Sequence, residues 1–259
     1  MGCQFGGSFM ENSTTNTAIS ANCVRGKQAR VLQVSRECDQ HRVKQISLRP
    51  QQRFLRPLTS DCALVVVCDG LFALDAAVGK GQRQILDFLI SGDFVELSTL
   101  QLSRSISVRA ITAGTLAPAA SWTDAASLLS LDQMTMNAKV AAQLQRAYFQ
   151  QMLVRQLDSE ARTASFLVSY AMRSAGGARP EQPISFPISR EDLADHLAIN
   201  RDTLSRVMMR FETLELIKRI DRHTLRVIDF DRLVALSPVA SQILAVFGKR
   251  MSVASERPK

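Results

Sequence analysis

The apolar positions of this chain change period twice, and each change marks a different kind of structure. From about Ile46 to Trp122 short apolar runs alternate with turn signals: ISL, FL, ALVVVC, LFAL, QILDFLI, FVEL and ISVRAIT. The breaks between them are CDG at 68–70, GKG at 79–81 and SGD at 91–93. Closely spaced short strands separated by Gly/Asp turns predict an antiparallel sandwich or barrel. GKG, lying between LFALDAAV and QRQILDFLI, predicts a hairpin loop. From Leu131 to about Leu157 the repeat lengthens. LDQMTMNAKVAAQLQRAYFQQMLVRQL contains no Pro or Gly, and Val140, Leu144, Ala147, Tyr148 and Met152 share one broad helical face. A helix of that length extends beyond a small domain, so its face belongs either to the core or to a dimer spine. A second helical stretch, 159–175, runs into Gly176–Gly177, a helix-stop signal. ARPEQPISFP follows as a linker.

The segment ISREDLADHLAINRDTLSRVMMRFETLELI, 188–217, reads as two short helices joined by a tight turn. Ser189 is a good N-cap, and Asp192 three residues later favours the helix start. Leu193, Ala194 and Leu197 form the inward face of the first helix. AIN at 198–200 is the turn, and Asn200 caps a second helix beginning at Arg201. Leu204, Val207, Met208, Phe211 and Leu214 recur inward at helical spacing. Arg201, Asp202, Ser205 and Arg206 share the opposite face in its first turns. A major-groove reader needs such a helix start. An arginine grips guanine with two hydrogen bonds, a carboxylate accepts from cytosine, and Arg190 and Arg210 are placed to hold phosphates. LIKRIDRHTLRVIDF, 216–230, then reads as two strands flanking Asp221–Arg222–His223, a hairpin wing. The competing reading is a packed helix pair with a charged outer face; the one-sided polar cluster and the hairpin directly after it favour DNA.

Composition narrows this further. The 259 residues suffice for one large domain or two modest ones. No apolar run is long enough to span a bilayer, and the start of the chain lacks a secretory pattern, so a cytoplasmic protein without membrane contact is expected. Five cysteines, Cys3, Cys23, Cys38, Cys62 and Cys68, form no CxxC pair and fit a reducing compartment. Three dispersed histidines give no zinc cage, so no metal site is expected. No P-loop, dinucleotide fingerprint or Ser-His-Asp order appears, and no enzymatic activity is expected. The net charge of +8 permits an anionic partner. Much of it lies away from the helix pair: Arg25 to Arg56 holds nine Lys or Arg against two acids.

RDTLSR at 201–206, within the 188–217 stretch, resembles the recognition helix of the Crp/Fnr family of transcription regulators. The wing and the preceding long helix follow that family's order. The segment LRPQQRFLRPLTSDCALVVVCDGLFALDAAVGKGQRQILDFLISGDFVEL looks like its β-roll sensor, with a Gly-Asp turn at Gly92–Asp93. The resemblance covers roughly Ile46 to Leu236. It implies an α+β protein: an N-terminal antiparallel β-roll resembling cyclic-nucleotide-binding domains, a long dimerisation helix and a C-terminal winged helix-turn-helix. The expected divisions are a mobile basic leader (1–45), a sensor (46–131), the dimerisation helix (132–157), the DNA-binding domain (158–236) and a C-terminal tail (237–259).

The resemblance further implies a homodimer on a palindromic double-stranded DNA site, with RNA polymerase as a partner. Arg190, Asn200, Arg201, Asp202, Thr203, Ser205, Arg206 and Arg210 are the expected DNA-binding residues. Asp202 stands where the Fnr-like branch has Glu, one methylene longer, and Ala198 stands where the family turn has Gly. The effector is unassigned. Glu96, Arg104 and Ser105 resemble part of the family's cyclic-nucleotide phosphate cassette, but Val95 replaces its Gly. The alternative is an effector-binding signalling protein whose winged helix contacts proteins.

Overall fold

The computed structural model describes residues 45–54, 63–77, 83–96, 106–176, 179–180 and 182–248. Eight strands build the N-terminal half: β1 (Ile46–Leu48), β2 (Arg53–Phe54), β3 (Leu64–Asp69), β4 (Phe72–Ala77), β5 (Arg83–Leu89), β6 (Phe94–Glu96), β7 (Ile106–Ala110) and β8 (Gly114–Ala119). They form two four-stranded antiparallel sheets, ordered β1-β8-β3-β6 and β2-β7-β4-β5. The expected β4–β5 hairpin pairs as predicted; its GKG loop lies outside the described residues.

Three apolar layers follow from the two-residue period of these strands. Val65, Val67, Phe72, Leu89, Val108 and Leu116 point between the sheets and fill the roll. Leu64 and Val66 point the other way, against the short helix α1 (Trp122–Leu128) and Met136. This explains why LVVV reads as a continuous apolar run: both faces of β3 are covered. On the second sheet Leu71, Ala73, Ile85 and Phe88 point outward and join the core of the C-terminal half. The turn of β5 into β6 needs Gly92, whose φ is +85°; a side chain there is strained.

The helical spine is α2 (Gln133–Gln156), followed by α3 (Ser159–Ser174), capped at its start by the Asp158 carboxylate. The orientation of α2 departs from simple amphipathicity. Its roll-facing side is polar: Lys139 Nζ donates to the Gly92 carbonyl, Gln143 Nε2 to the Phe94 carbonyl, and Arg146 to the carboxylates of Asp87 and Asp93. Met134, Leu144, Tyr148 and Met152 face outward and are exposed. Of the expected apolar face, Val140 alone packs inward, beside the α1 cluster.

The C-terminal half contains β9 (Ile184–Ser185), α4 (Arg190–Leu197), α5 (Arg201–Thr213), β10 (Ile217–Arg219), β11 (Thr224–Val227), α6 (Phe230–Ala235) and α7 (Ala240–Gly248). Two features differ from the sequence expectation. The proline-rich linker contributes β9, which pairs with β11 as the third strand of the wing sheet. The stretch after Leu236, expected as a tail, forms α7, and Val239, Ala240 and Ile243 are buried.

Candidate nucleic-acid interface

The helix-turn-helix is organised by its caps. Ser189 Oγ accepts from the Asp192 amide at 3.0 Å and donates to the Asp192 carboxylate at 2.9 Å, closing the first turn of α4. Leu193, Ala194 and Leu197 are buried, as expected. The turn reverses at Ala198, left-handed at φ 51° and ψ 47°. Asn200 Oδ1 then accepts from the Asp202 amide at 2.7 Å and starts α5. Leu204, Val207, Met208 and Phe211 are buried, whereas Leu214 sits past the helix end and is exposed.

Arg201, Asp202 and Arg206 are exposed and Thr203 and Ser205 half-buried. The expected phosphate-holding pair is tied up in different ways. Arg190 Nη1 donates to Ser205 Oγ at 3.3 Å, linking the start of α4 to α5. Arg210 pairs with Glu160 of α3 at 2.9 Å, which holds the far end of α5. The pair engages Nη1 alone, and the Arg210 side chain is 64% exposed, so its remaining guanidinium donors stay open to solvent.

The wing adds cations that the sequence reading placed on a hairpin without assigning them a contact. Strands β10 and β11 pair antiparallel with Ile217 opposite Val227. At the tip Asp221 Oδ1 accepts from the His223 amide at 2.7 Å, and this bond lowers its pKa. A cleft of about 360 Å³ opens between wing and helix pair, lined by Arg190, Arg201, Arg219, Arg222 and His223 with Glu191 as its one acid. Four arginines against one carboxylate make a cationic wall continuous with the first turn of α5. The paired basic residues of IKRIDRH, Lys218–Arg219 and Arg222–His223, were the available signal.

Of the three candidate effector residues, Glu96 is the one described. Glu96 ends β6, half-buried and engaged with a neighbour; Arg104 and Ser105 lie outside the described residues. Val95 is buried inside the roll. Of the cysteines, Cys68 is described, half-buried on β3; the other four fall outside. Among the described residues no group of three His, Cys, Asp or Glu is placed to hold a metal, and no helix is long and apolar enough to cross a membrane.

Comparison with known proteins agrees with this geometry. Residues 161–236 match the Crp-like helix-turn-helix domain. The chain is 26% identical over 148 residues to the nitrogen fixation regulation protein FixK of Bradyrhizobium diazoefficiens, covering 56% of this chain and 62% of that protein, less than two thirds of its length. It is 28% identical over 171 residues to the transcriptional activatory protein AadR of Rhodopseudomonas palustris, covering 65% and 71%. In fold it is similar to FixK2 from Bradyrhizobium japonicum, with a TM-score of 0.60 at 21% identity over 75% of this chain and 97% of that one. A CooA variant from Carboxydothermus hydrogenoformans superposes with a TM-score of 0.55 at 19% identity, covering 74% and 86%. With a β-roll, a long helix and a winged helix-turn-helix in that order, the chain carries a Crp-like helix-turn-helix domain over residues 161–236 and is similar in fold and order of parts to Crp/Fnr transcription regulators.

Proposed function

We propose that the protein regulates transcription by binding a two-fold symmetric duplex site as a homodimer, each protomer laying α5 in the major groove and its wing along the adjacent backbone. The observation that carries this reading is the unobstructed face of α5. Arg201, Asp202 and Arg206 project from its first turns beside a cleft walled by four arginines. Arg201 and Arg206 read guanine edges, Asp202 accepts from a cytosine amino group directly or through water, and Thr203 and Ser205 supply hydroxyls. Asn200 is spent on capping, so its contribution is to fix the helix start.

Dimerisation rests on the inverted α2. A helix that spends its polar side on its own roll and leaves Met134, Leu144, Tyr148 and Met152 in water needs a second copy to cover them. Full burial of an exposed Leu or Met contributes about 1.5–3 kcal/mol, and Leu144 and Met152, already about half-covered, contribute roughly half of that. RNA polymerase is the further partner and the cytoplasm the compartment that this function entails.

Selection from a random duplex pool with purified protein at fixed moderate salt tests the reading. A palindrome with half-sites about one helical turn apart is the expected product. If no duplex is enriched, with or without cyclic nucleotide, haem or anaerobic conditions, the winged helix is instead a protein-contact module. Salt separates these cases independently, because a dimer held by several phosphates loses affinity steeply as salt rises.

A further inference from the structure

The sheet β2-β7-β4-β5 carries charge on the face where it should be solvated, yet that face is buried. Asp75 on β4 is 1% exposed and Arg109 on β7 is 2% exposed. Buried charges survive only when paired and hydrogen-bonded, and part of the pairing comes from the helix-turn-helix. Arg109 donates from Nε to Asp75 at 2.8 Å and from Nη2 to Asp192 of α4 at 2.7 Å. Arg83 on β5 donates to Asp192 at 2.9 Å and to Asp195 at 2.8 Å. Arg53 reaches Asp75 at 3.2 Å. The roll thus brings three arginines against one aspartate, a net +2, and α4 supplies the two missing negative charges.

The same helix face is held a second way. His196 lies one position beyond Asp195, its ring edge-on to Phe88 of β5 and Phe166 of α3, with centroids 5.1 and 5.3 Å away, and its Nδ1 is 3.1 Å from the Ile85 carbonyl. Residues 192, 195 and 196 are spaced i, i+3, i+4, so one side of α4 is devoted to the roll. Leu193 and Leu197 hold α4 against the core that contains α5. The reading helix therefore follows wherever α4 is docked, and the docked state leaves its reading face open.

We propose that this ion network is a positioning device that fixes the separation between the two reading helices of the dimer, and so sets the half-site spacing that the protein accepts. The inference rests on the dimeric DNA-binding reading above. Rigid contacts run from α2 to the roll through Lys139, Gln143 and Arg146, from the roll to α4 through Arg83 and Arg109, and from α4 to α5. Without the charged link, each helix-turn-helix still reads its half-site, and the His196 contacts alone hold it less firmly at its distance from its twin.

The test uses the full chain and a set of duplexes. One carries the selected palindrome, others carry it lengthened or shortened by one or two base pairs between half-sites, and one carries a single half-site. Asp192→Asn removes the charge while keeping the side-chain shape and the bond from the residue-192 amide to Ser189 Oγ. The expected result is about a tenfold loss on the selected palindrome, near-equal affinity for the altered spacings, and unchanged affinity for the single half-site. Asp195→Asn, at the more exposed end of the network, is expected to flatten the same spacing profile less. It keeps the test open if Asp192→Asn does not fold. Variants that bind more weakly but retain the wild-type spacing profile would overturn the proposal. Wild-type protein that selects no palindrome would instead overturn the DNA-binding reading beneath it.

Discussion

Replacing Ala198 with Gly should stabilise the protein. Ala198 is the one residue of the helix-turn-helix turn in the left-handed region, at φ 51° and ψ 47°, and its methyl group is exposed. An L-residue pays about 1–2 kcal/mol for that conformation. Glycine relieves it but adds freedom to the unfolded chain worth about 0.4–1 kcal/mol. No packing is lost, because the side chain faces water, and the bond from Arg162 to the Ala198 carbonyl involves only backbone at that position. The net gain is roughly 0.5–1 kcal/mol, and for a chain of this size it raises Tm by about 1–4 °C. Calorimetry of the two proteins side by side measures it. An unchanged or lower Tm would refute the assignment of strain to this turn. A gain accompanied by altered affinity for the selected duplex would show that the strained turn also sets the angle between α4 and α5.

Arg206→Ala should lower affinity for the selected site by roughly 1–3 kcal/mol and relax one base position; an equal loss on every sequence would make Arg206 a phosphate contact. Leu144→Glu, or Tyr148→Glu, places a carboxylate on the exposed side of α2 and should convert the dimer to monomers by sedimentation at micromolar concentration, with Tm of the monomer little changed. Burial holds the His196 imidazole below its ordinary range, outweighing the nearby Asp87 charge and the Ile85 hydrogen bond. The unfolded histidine takes up a proton as pH falls through about 6.5 while the native one resists, so stability is complete above that pH and declines below it, by up to about 1.4 kcal/mol per unit. His196→Gln should flatten chemical-denaturation stability between pH 6.5 and 5.5; a slope that persists would assign the proton to another group. Asp93, lowered by Arg173 and Arg146 against the effect of its burial, adds its own loss only as pH drops below about 3.8.

Sequence periodicity says which residues share a face, not what that face touches, and the two largest departures from expectation both have this cause. The 3.6-residue repeat grouped Leu144, Tyr148 and Met152 correctly, yet the roll-facing side of α2 is the one bearing Lys139, Gln143 and Arg146, because backbone carbonyls at Gly92 and Phe94 and carboxylates at Asp87 and Asp93 await it. Likewise ISVRA alternates like a strand with one wet face, and Arg109 sits on the polar side. That side becomes dry only when α4, 83 positions later, docks on it. Local devices were legible because they are closed within a few residues: the Ser189 box, the Asn200 cap, the inward Leu204, Val207, Met208 and Phe211, and the wing. Strand β9 was not, since two residues in a proline-rich linker are held only by the ladder that β11 offers them. The same distinction separates the two parts of the candidate site. The residues proposed to touch DNA are consecutive in α5, whereas the charges proposed to fix α5 in space are distributed over Arg53, Asp75, Arg83, Arg109, Asp192 and Asp195. Reading specificity and spacing specificity should therefore be separable by mutation, the first changed from within α5 and the second from the surface of the roll.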